Sequence, residues 1–283
     1  MINYQKVVKR YGSLTAVNEF SLKIQSGEVF GLLGPNGAGK TTIMRMTTTL
    51  TPPDSGEILV DGELIHRNAV NIKKRFGIVP QASNLENDLN AWENLEYHGM
   101  LYGMEKKYRR RRIEELMEFV GLQDRKEDIA RNYSGGMKRK MMLAKALMHE
   151  PDILLLDEPT VGLDAAVRRK IWDLLRQLHQ MGMTIFLTTH YLEEASILCD
   201  RVGLIDEGKL MKVDSPANII SENGRYVLDY YLEGKTCQEF FADRDAAVRA
   251  GEALGTGFQV RESNLEDAFI RLTNKNLLQE GMK

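Results

Sequence analysis

The chain has 283 residues, enough to bury a substantial core, and its 43% hydrophobic and 28% charged residues describe an ordinary globular protein rather than a disordered one. A net charge of -2 supplies no overall electrostatic reason to bind nucleic acid. Two cysteines, Cys199 and Cys237, are too few for a disulfide framework and lack metal-ligand spacing, which points to buried, inert thiols in a reducing compartment.

In chain order, the first informative run is Glu28-Val29-Phe30-Gly31-Leu32-Leu33, a short apolar stretch that reads as a buried strand. It leads directly into Gly34-Pro35-Asn36-Gly37-Ala38-Gly39-Lys40-Thr41-Thr42, and the residues after Lys40 read as a helix. Gly34 to Thr41 satisfies G-x-x-x-x-G-K-[ST], in which glycines let backbone N–H groups converge on phosphate oxygens. Lys40 is expected to bind the terminal phosphates and Thr41 a magnesium ion, with the helix N-terminus adding its own attraction for anions.

Similar apolar runs recur at Phe76–Val79, Ile153–Leu156 and Thr184–Thr188, several of them separated by helix-like segments. This predicts an α/β fold on a largely parallel sheet whose strand ends carry the ligands. Gln81 follows the first of these strands. The second ends in Asp157 and Glu158, with Asp157 the candidate for holding Mg²⁺ and Glu158 for polarising or deprotonating an attacking water. His190 follows the third.

Between about Leu85 and Met148 the pattern becomes helical, with Ile113, Leu116, Met117 and Val120 on one apolar face. Leu85, Leu89 and Trp92 stand out as apolar residues in a polar stretch, suited equally to core packing and to docking a partner's helix. The basic run Lys106, Lys107, Arg109, Arg110, Arg111 and Arg112 is flanked by Glu105, Glu114 and Glu115, so it reads chiefly as a solvated helix face; contact with anionic lipid is the lesser alternative. Tyr133-Ser134-Gly135-Gly136-Met137 precedes another helix-like run with Lys138, Arg139, Lys140 and Lys145, which suggests a second anion site at a helix N-terminus.

After Val202–Ile205, the turn-prone Asp206-Glu207-Gly208 predicts a hairpin that closes the main domain. Residues 221–283 read as a small accessory domain following a main domain of 1–220, with Ser263 and Glu266 as a capping box for its last helix. No apolar run approaches the roughly 20 residues of a membrane span, so action at a membrane requires another chain to cross it.

Taken together, GPNGAGKTT at 34–42, YSGGM at 133–137, ILLLDEP at 153–159, VGLD at 161–164 and His190 resemble the ATP-binding cassette (ABC) ATPases in order and spacing. The resemblance implies a P-loop ATPase core with an antiparallel β portion, a helical subdomain at about 85–148, and ATP with Mg²⁺ as cofactors. It implies that Tyr11 stacks on adenine and that Gln81 contacts the metal. It also implies a head-to-tail pair in which Ser134, Gly135, Gly136, Met137 and Asp164 of one copy complete the ATP site of the other. Met137 stands where that family usually has glutamine, and Tyr133 where it has leucine.

YSGGM, EPTVGLD, TTHYLEEA and LCDRV further resemble the daunorubicin-resistance and nodulation-type export ATPases, which pair with separate ABC-2-type permeases. That likeness implies a prokaryotic protein held peripherally at the cytoplasmic face of the cell membrane. A soluble ABC ATPase acting on ribosomes or nucleic acid is the alternative; the single cassette and the lack of long coiled-coil insertions argue against it. A non-hydrolytic switch is opposed by Asp157, Glu158 and His190.

Overall fold

The computed structural model describes residues 1–232 and 234–280, without the side chains of 223 and 273–280. Strands β1 (Ile2–Tyr11) and β2 (Leu14–Ile24) open the chain, followed by β3 (Val29–Leu33) and helix α1 (Lys40–Thr47). Next come β4 (Ser55–Val60), β5 (Glu63–Leu64), the short α2 (Val70–Lys73) and β6 (Phe76–Val79). Three helices follow, α3 (Ala91–Leu101), α4 (Lys106–Phe119) and α5 (Gly135–Leu147). The chain then alternates through β7 (Ile153–Asp157), α6 (Ala165–Gln180), β8 (Thr184–Thr189), α7 (Leu192–Leu198), β9 (Arg201–Asp206) and β10 (Lys209–Asp214). It finishes with α8 (Pro216–Asn223), β11 (Tyr226–Leu232), β12 (Lys235–Phe241), α9 (Arg244–Ala253), β13 (Phe258–Glu262) and α10 (Leu265–Glu280).

The apolar runs read from the sequence form the central sheet, of strand order β10-β9-β3-β8-β7-β6. All its neighbours are parallel except β10, which returns antiparallel on β9 through the hairpin expected at Asp206–Gly208. Every residue of β3, β7 and β8 is buried, as a sheet covered on both faces requires. Strand alternation divides them between two cores. Val29, Leu33, Leu154 and Leu156 face the helices, whereas Phe30, Leu32, Ile153 and Leu155 face the antiparallel sheet β2-β1-β4-β5.

Ile113, Leu116, Met117 and Val120 are all buried, so the predicted apolar face of α4 is its inner face. Leu85 is buried and Trp92 partly buried against the same core, which favours packing over docking for these two. The basic run is only partly a solvated face. Arg109 is buried and pairs with Glu96 at 2.6 Å, and Arg111 and Arg112 lie within 3.5 and 3.3 Å of Glu115.

Strands β12-β11-β13 form a separate sheet covered by α9, while α10 turns back onto α7 and α8. Leu265 and Ala268 thereby join the core that contains Ala195 and Leu198. Two expectations about this region need correction. The last helix is capped by Asn264 and Asp267, not Ser263 and Glu266: Asn264 Oδ1 accepts from Asp267 N at 3.1 Å, and Asp267 Oδ2 accepts from Asn264 N at 2.9 Å. The other concerns the thiols. Cys199 is buried against Gly31, but Cys237 is only half-buried on an edge strand.

Candidate active site

The loop between β3 and α1 is built for close approach. A Cβ on Gly34 would come within 2.1 Å of the Ile205 carbonyl, and Gly39 adopts φ 104° with Ala16 O behind it. Gly39 occupies the N-cap position of α1 without any side-chain cap, and the first turn holds no acid. The helix therefore leaves its N-terminal donors to an external anion. Lys40, only 5% exposed, donates to Gly34 O at 2.7 Å and Pro35 O at 3.1 Å, with Glu158 Oε1 at 3.6 Å.

A cleft of about 250 Å³ opens over this loop, lined by Tyr11, Pro35, Asn36, Gly37, Gly39, Lys40, Thr41, Thr42, Gln81 and Glu158. Tyr11 is 45% exposed at the cleft edge with Lys9 Nζ 5.7 Å from its ring centre. Ala38 is buried below the loop. So the sequence motif, the aromatic residue upstream of it and the strand-end glutamine share one wall.

At the ends of β7 and β8, Thr188 organises both acids. Its hydroxyl donates to Asp157 Oδ1 at 2.6 Å and accepts from Glu158 N at 3.2 Å. Glu158 is buried on a left-handed backbone, φ 51°, where its N–H also reaches Thr188 O at 3.0 Å. His190 Nδ1 lies 2.7 Å from Glu158 Oε2. Beneath them Glu194 is fully buried, taking hydrogen bonds from Thr160 Oγ1 at 2.7 Å and Trp172 Nε1 at 3.0 Å; burial raises its carboxyl above the usual range.

The Ser134 segment does not join this cleft. Ser134 caps α5, its Oγ accepting from Met137 N at 3.3 Å, and it is exposed together with Gly135. Gly136 packs on Val167 so closely that a Cβ would stand 2.6 Å from Val167 Cγ1. Asp164 caps α6 through Val167 N at 2.9 Å, which sets Asp164 and Ser134–Gly136 beside one another. Three of the four cations expected to favour an anion there are engaged elsewhere. Lys140 donates to Val120 O at 2.8 Å, Lys145 to Asn84 O at 2.5 Å, and Arg139 is buried against Pro80, Gln81 and Glu158.

Residues 17–161 match the ABC transporter family model. The chain belongs to that family. Among its relatives, the linearmycin resistance ATP-binding protein LnrL of Bacillus subtilis is 42% identical, the alignment covering 98% of this chain and 99% of LnrL. The Nod factor export ATP-binding protein I of Burkholderia lata is 38% identical, with 98% of each chain covered. Among solved structures, the dimeric ATP-binding cassette MJ0796 bound to ADP and phosphate after hydrolysis superposes with a TM-score of 0.69 at 27% identity, covering 76% of this chain and 98% of that one. The chain is accordingly an ABC ATPase, binding ATP and hydrolysing it in the service of transport.

Within this ABC ATPase, the unusual signature residues have local reasons. Tyr133 is buried and donates its hydroxyl to Arg125 O at 2.6 Å, an anchor that leucine cannot form; burial pushes its pKa up to about 12. Met137 packs its side chain partly against the core, leaving the N–H as its polar contact at the signature. Sequence reasoning missed Thr188 and Arg139. The threonine lies two residues before the recognised His190, and the arginine is one of four similar cations, singled out only by its burial in the fold.

Proposed function

We propose that this chain is the ATP-hydrolysing subunit of an ABC-2-type exporter, working as a head-to-tail pair of cassettes on a separate membrane permease. The observation that carries this reading is the convergence of Lys40, Glu158 and His190 beside one phosphate-binding loop, with the Ser134 segment outside the cleft over that loop. In this reading residues 1–220 are the cassette and 221–283 an accessory domain.

Tyr11 stacks on adenine, the loop N–H groups and Lys40 hold the β- and γ-phosphates, and Ser134, Gly135 and Gly136 of a second copy cover the γ-phosphate. Glu158 accepts the proton of the attacking water as that water bonds to the γ-phosphorus and the bond to the bridging oxygen breaks. His190 holds the Glu158 carboxylate in place from one side and Thr188 holds its backbone from the other. Gln81 orients the water. Two-fold symmetry makes the arrangement self-complementary, producing two equivalent sites, and ATP favours closure because the γ-phosphate contacts exist only in the closed state.

Thr41, Gln81 and Asp157 suit Mg²⁺, since all are oxygen donors beside the phosphate loop and the Thr188 bond engages Oδ1 of Asp157. Among the described residues no three His, Cys, Asp or Glu side chains gather to hold a metal alone, so retention of the ion depends on nucleotide oxygens. When bound, Mg²⁺ offsets the phosphate charge that builds up during transfer.

Among the described residues no helix is long and apolar enough to cross a membrane. The chain then acts peripherally, at the cytoplasmic face of a prokaryotic membrane, through its permease. Export rests on the two relatives named for Nod factor export and linearmycin resistance. Glu158→Gln tests the catalytic core of the reading: kcat should fall by about 100-fold or more with ATP affinity retained. Near-normal turnover would remove Glu158 from the role of base. Lys40→Ala should instead weaken ATP binding, checked by titration with a fluorescent ATP analogue.

A further inference from the structure

Arg139, a charged side chain in the site, has no part in the roles above. Arg139 rises from α5, shortly after the Ser134 cap, and is only 7% exposed. Its Nη1 donates to Pro80 O at 2.8 Å; its Nη2 donates to Gln81 O at 3.3 Å and to Glu158 O at 3.2 Å. All these partners are backbone carbonyls, in segments distant in sequence from one another. Burial lowers the guanidinium pKa, while Glu194, Asp157 and Glu158 favour its charge through space.

The position of this contact matters more than its number of bonds. Glu158 sits on a left-handed backbone that a residue other than glycine adopts only when its surroundings hold it there. Thr188 fixes the N–H side of that residue, and Arg139, with Val161 N at 3.3 Å, holds the carbonyl side. The same guanidinium ties down the carbonyl of Gln81. Because α5 is a continuous helix, displacement of its N-terminus carries Arg139 with it, and the three carbonyls either follow or lose this donor.

We infer that Arg139 is a positioning residue that transmits the placement of the Ser134 helix to Gln81 and Glu158 of the same chain. The inference rests on the head-to-tail reading, since only there does Ser134 touch the partner's nucleotide. Seating α5 on one ATP then sets the glutamate beside the other. Each site thereby senses occupancy of its neighbour through one side chain, and the two hydrolyse in concert.

The test is ATP hydrolysis by the full chain as a function of ATP concentration, for wild type, Arg139→Met and Arg139→Lys. Wild type should show a Hill coefficient near two, the number of coupled sites. Arg139→Met should lose about tenfold or more in kcat with a Hill coefficient near one, while ATP affinity stays within about twofold. Arg139→Lys, which keeps the charge and can reach one carbonyl, should fall between them and guards against simple misfolding. A Hill coefficient that stays near two in both variants would overturn the inference, whatever happens to kcat. A wild-type coefficient of one, with Glu158→Gln remaining monomeric in saturating ATP, would instead refute the head-to-tail reading, so the two failures are distinguishable.

Discussion

Glu158 combines a strained backbone, a buried carboxylate and a histidine partner, and Thr188 supports that combination from β8. Thr188→Val keeps the side chain's shape but removes the hydroxyl that joins Asp157 to Glu158. A fall in kcat of about tenfold, equivalent to about 1.4 kcal/mol of barrier, is expected, with little change in KM. Steady-state kinetics of the purified variant would measure it. Gly34 is constrained sterically rather than electrostatically. Gly34→Ala would drive a methyl group into Ile205 O, so the unfolding midpoint should drop by an amount equivalent to about 3 kcal/mol or more. At this scale the sequence was most informative where chemistry depends on residue type at fixed spacing, as in the loop and the strand-end acids. It was silent where one threonine or one arginine had to be singled out from its neighbours by burial.

Among the elements, the helices α3, α4 and α5 are joined by polar contacts that period alone does not reveal. Tyr133→Phe deletes the hydroxyl bond to Arg125 O between the signature and the turn before it, and should cost about 1 kcal/mol by denaturant unfolding. Near the other end of α5, Tyr102 stacks on His149 at 3.8 Å and His98 lies close by. Burial, helped by the positive neighbours His149 and Lys145, lowers the His98 pKa from 6.5 to about 4. The unfolded chain therefore binds the proton between those values while the folded chain does not. The contribution of His98 to stability is full above about pH 6.5 and declines as pH falls toward about 4. Unfolding midpoints at pH 7.5 and pH 5 should differ less in His98→Phe than in wild type. The helical face of α4 was legible because its apolar spacing was regular. The cap of α10 was misread because Ser263-x-x-Glu266 and Asn264-x-x-Asp267 are the same pattern one residue apart, and only the true helix start selects between them.

On the scale of the whole molecule, the fold places the phosphate loop, Gln81, Glu158 and His190 just beyond the C-terminal ends of the strands of the central sheet, because parallel strands end on the same side. The alternation of apolar strands and helices made that arrangement readable in advance. In the proposed head-to-tail reading, a single chain is incomplete. Ser134, Gly135 and Asp164 gather beside α6 at exposed positions, outside the cleft formed by the loop. The account stands or falls on whether a second copy brings them to the nucleotide. Light scattering on Glu158→Gln with saturating ATP and Mg²⁺ addresses this directly. A doubling of molar mass that disappears when Ser134→Arg is added to the same chain is the predicted result; an unchanged monomer mass, in ATP shown to be bound, would contradict it.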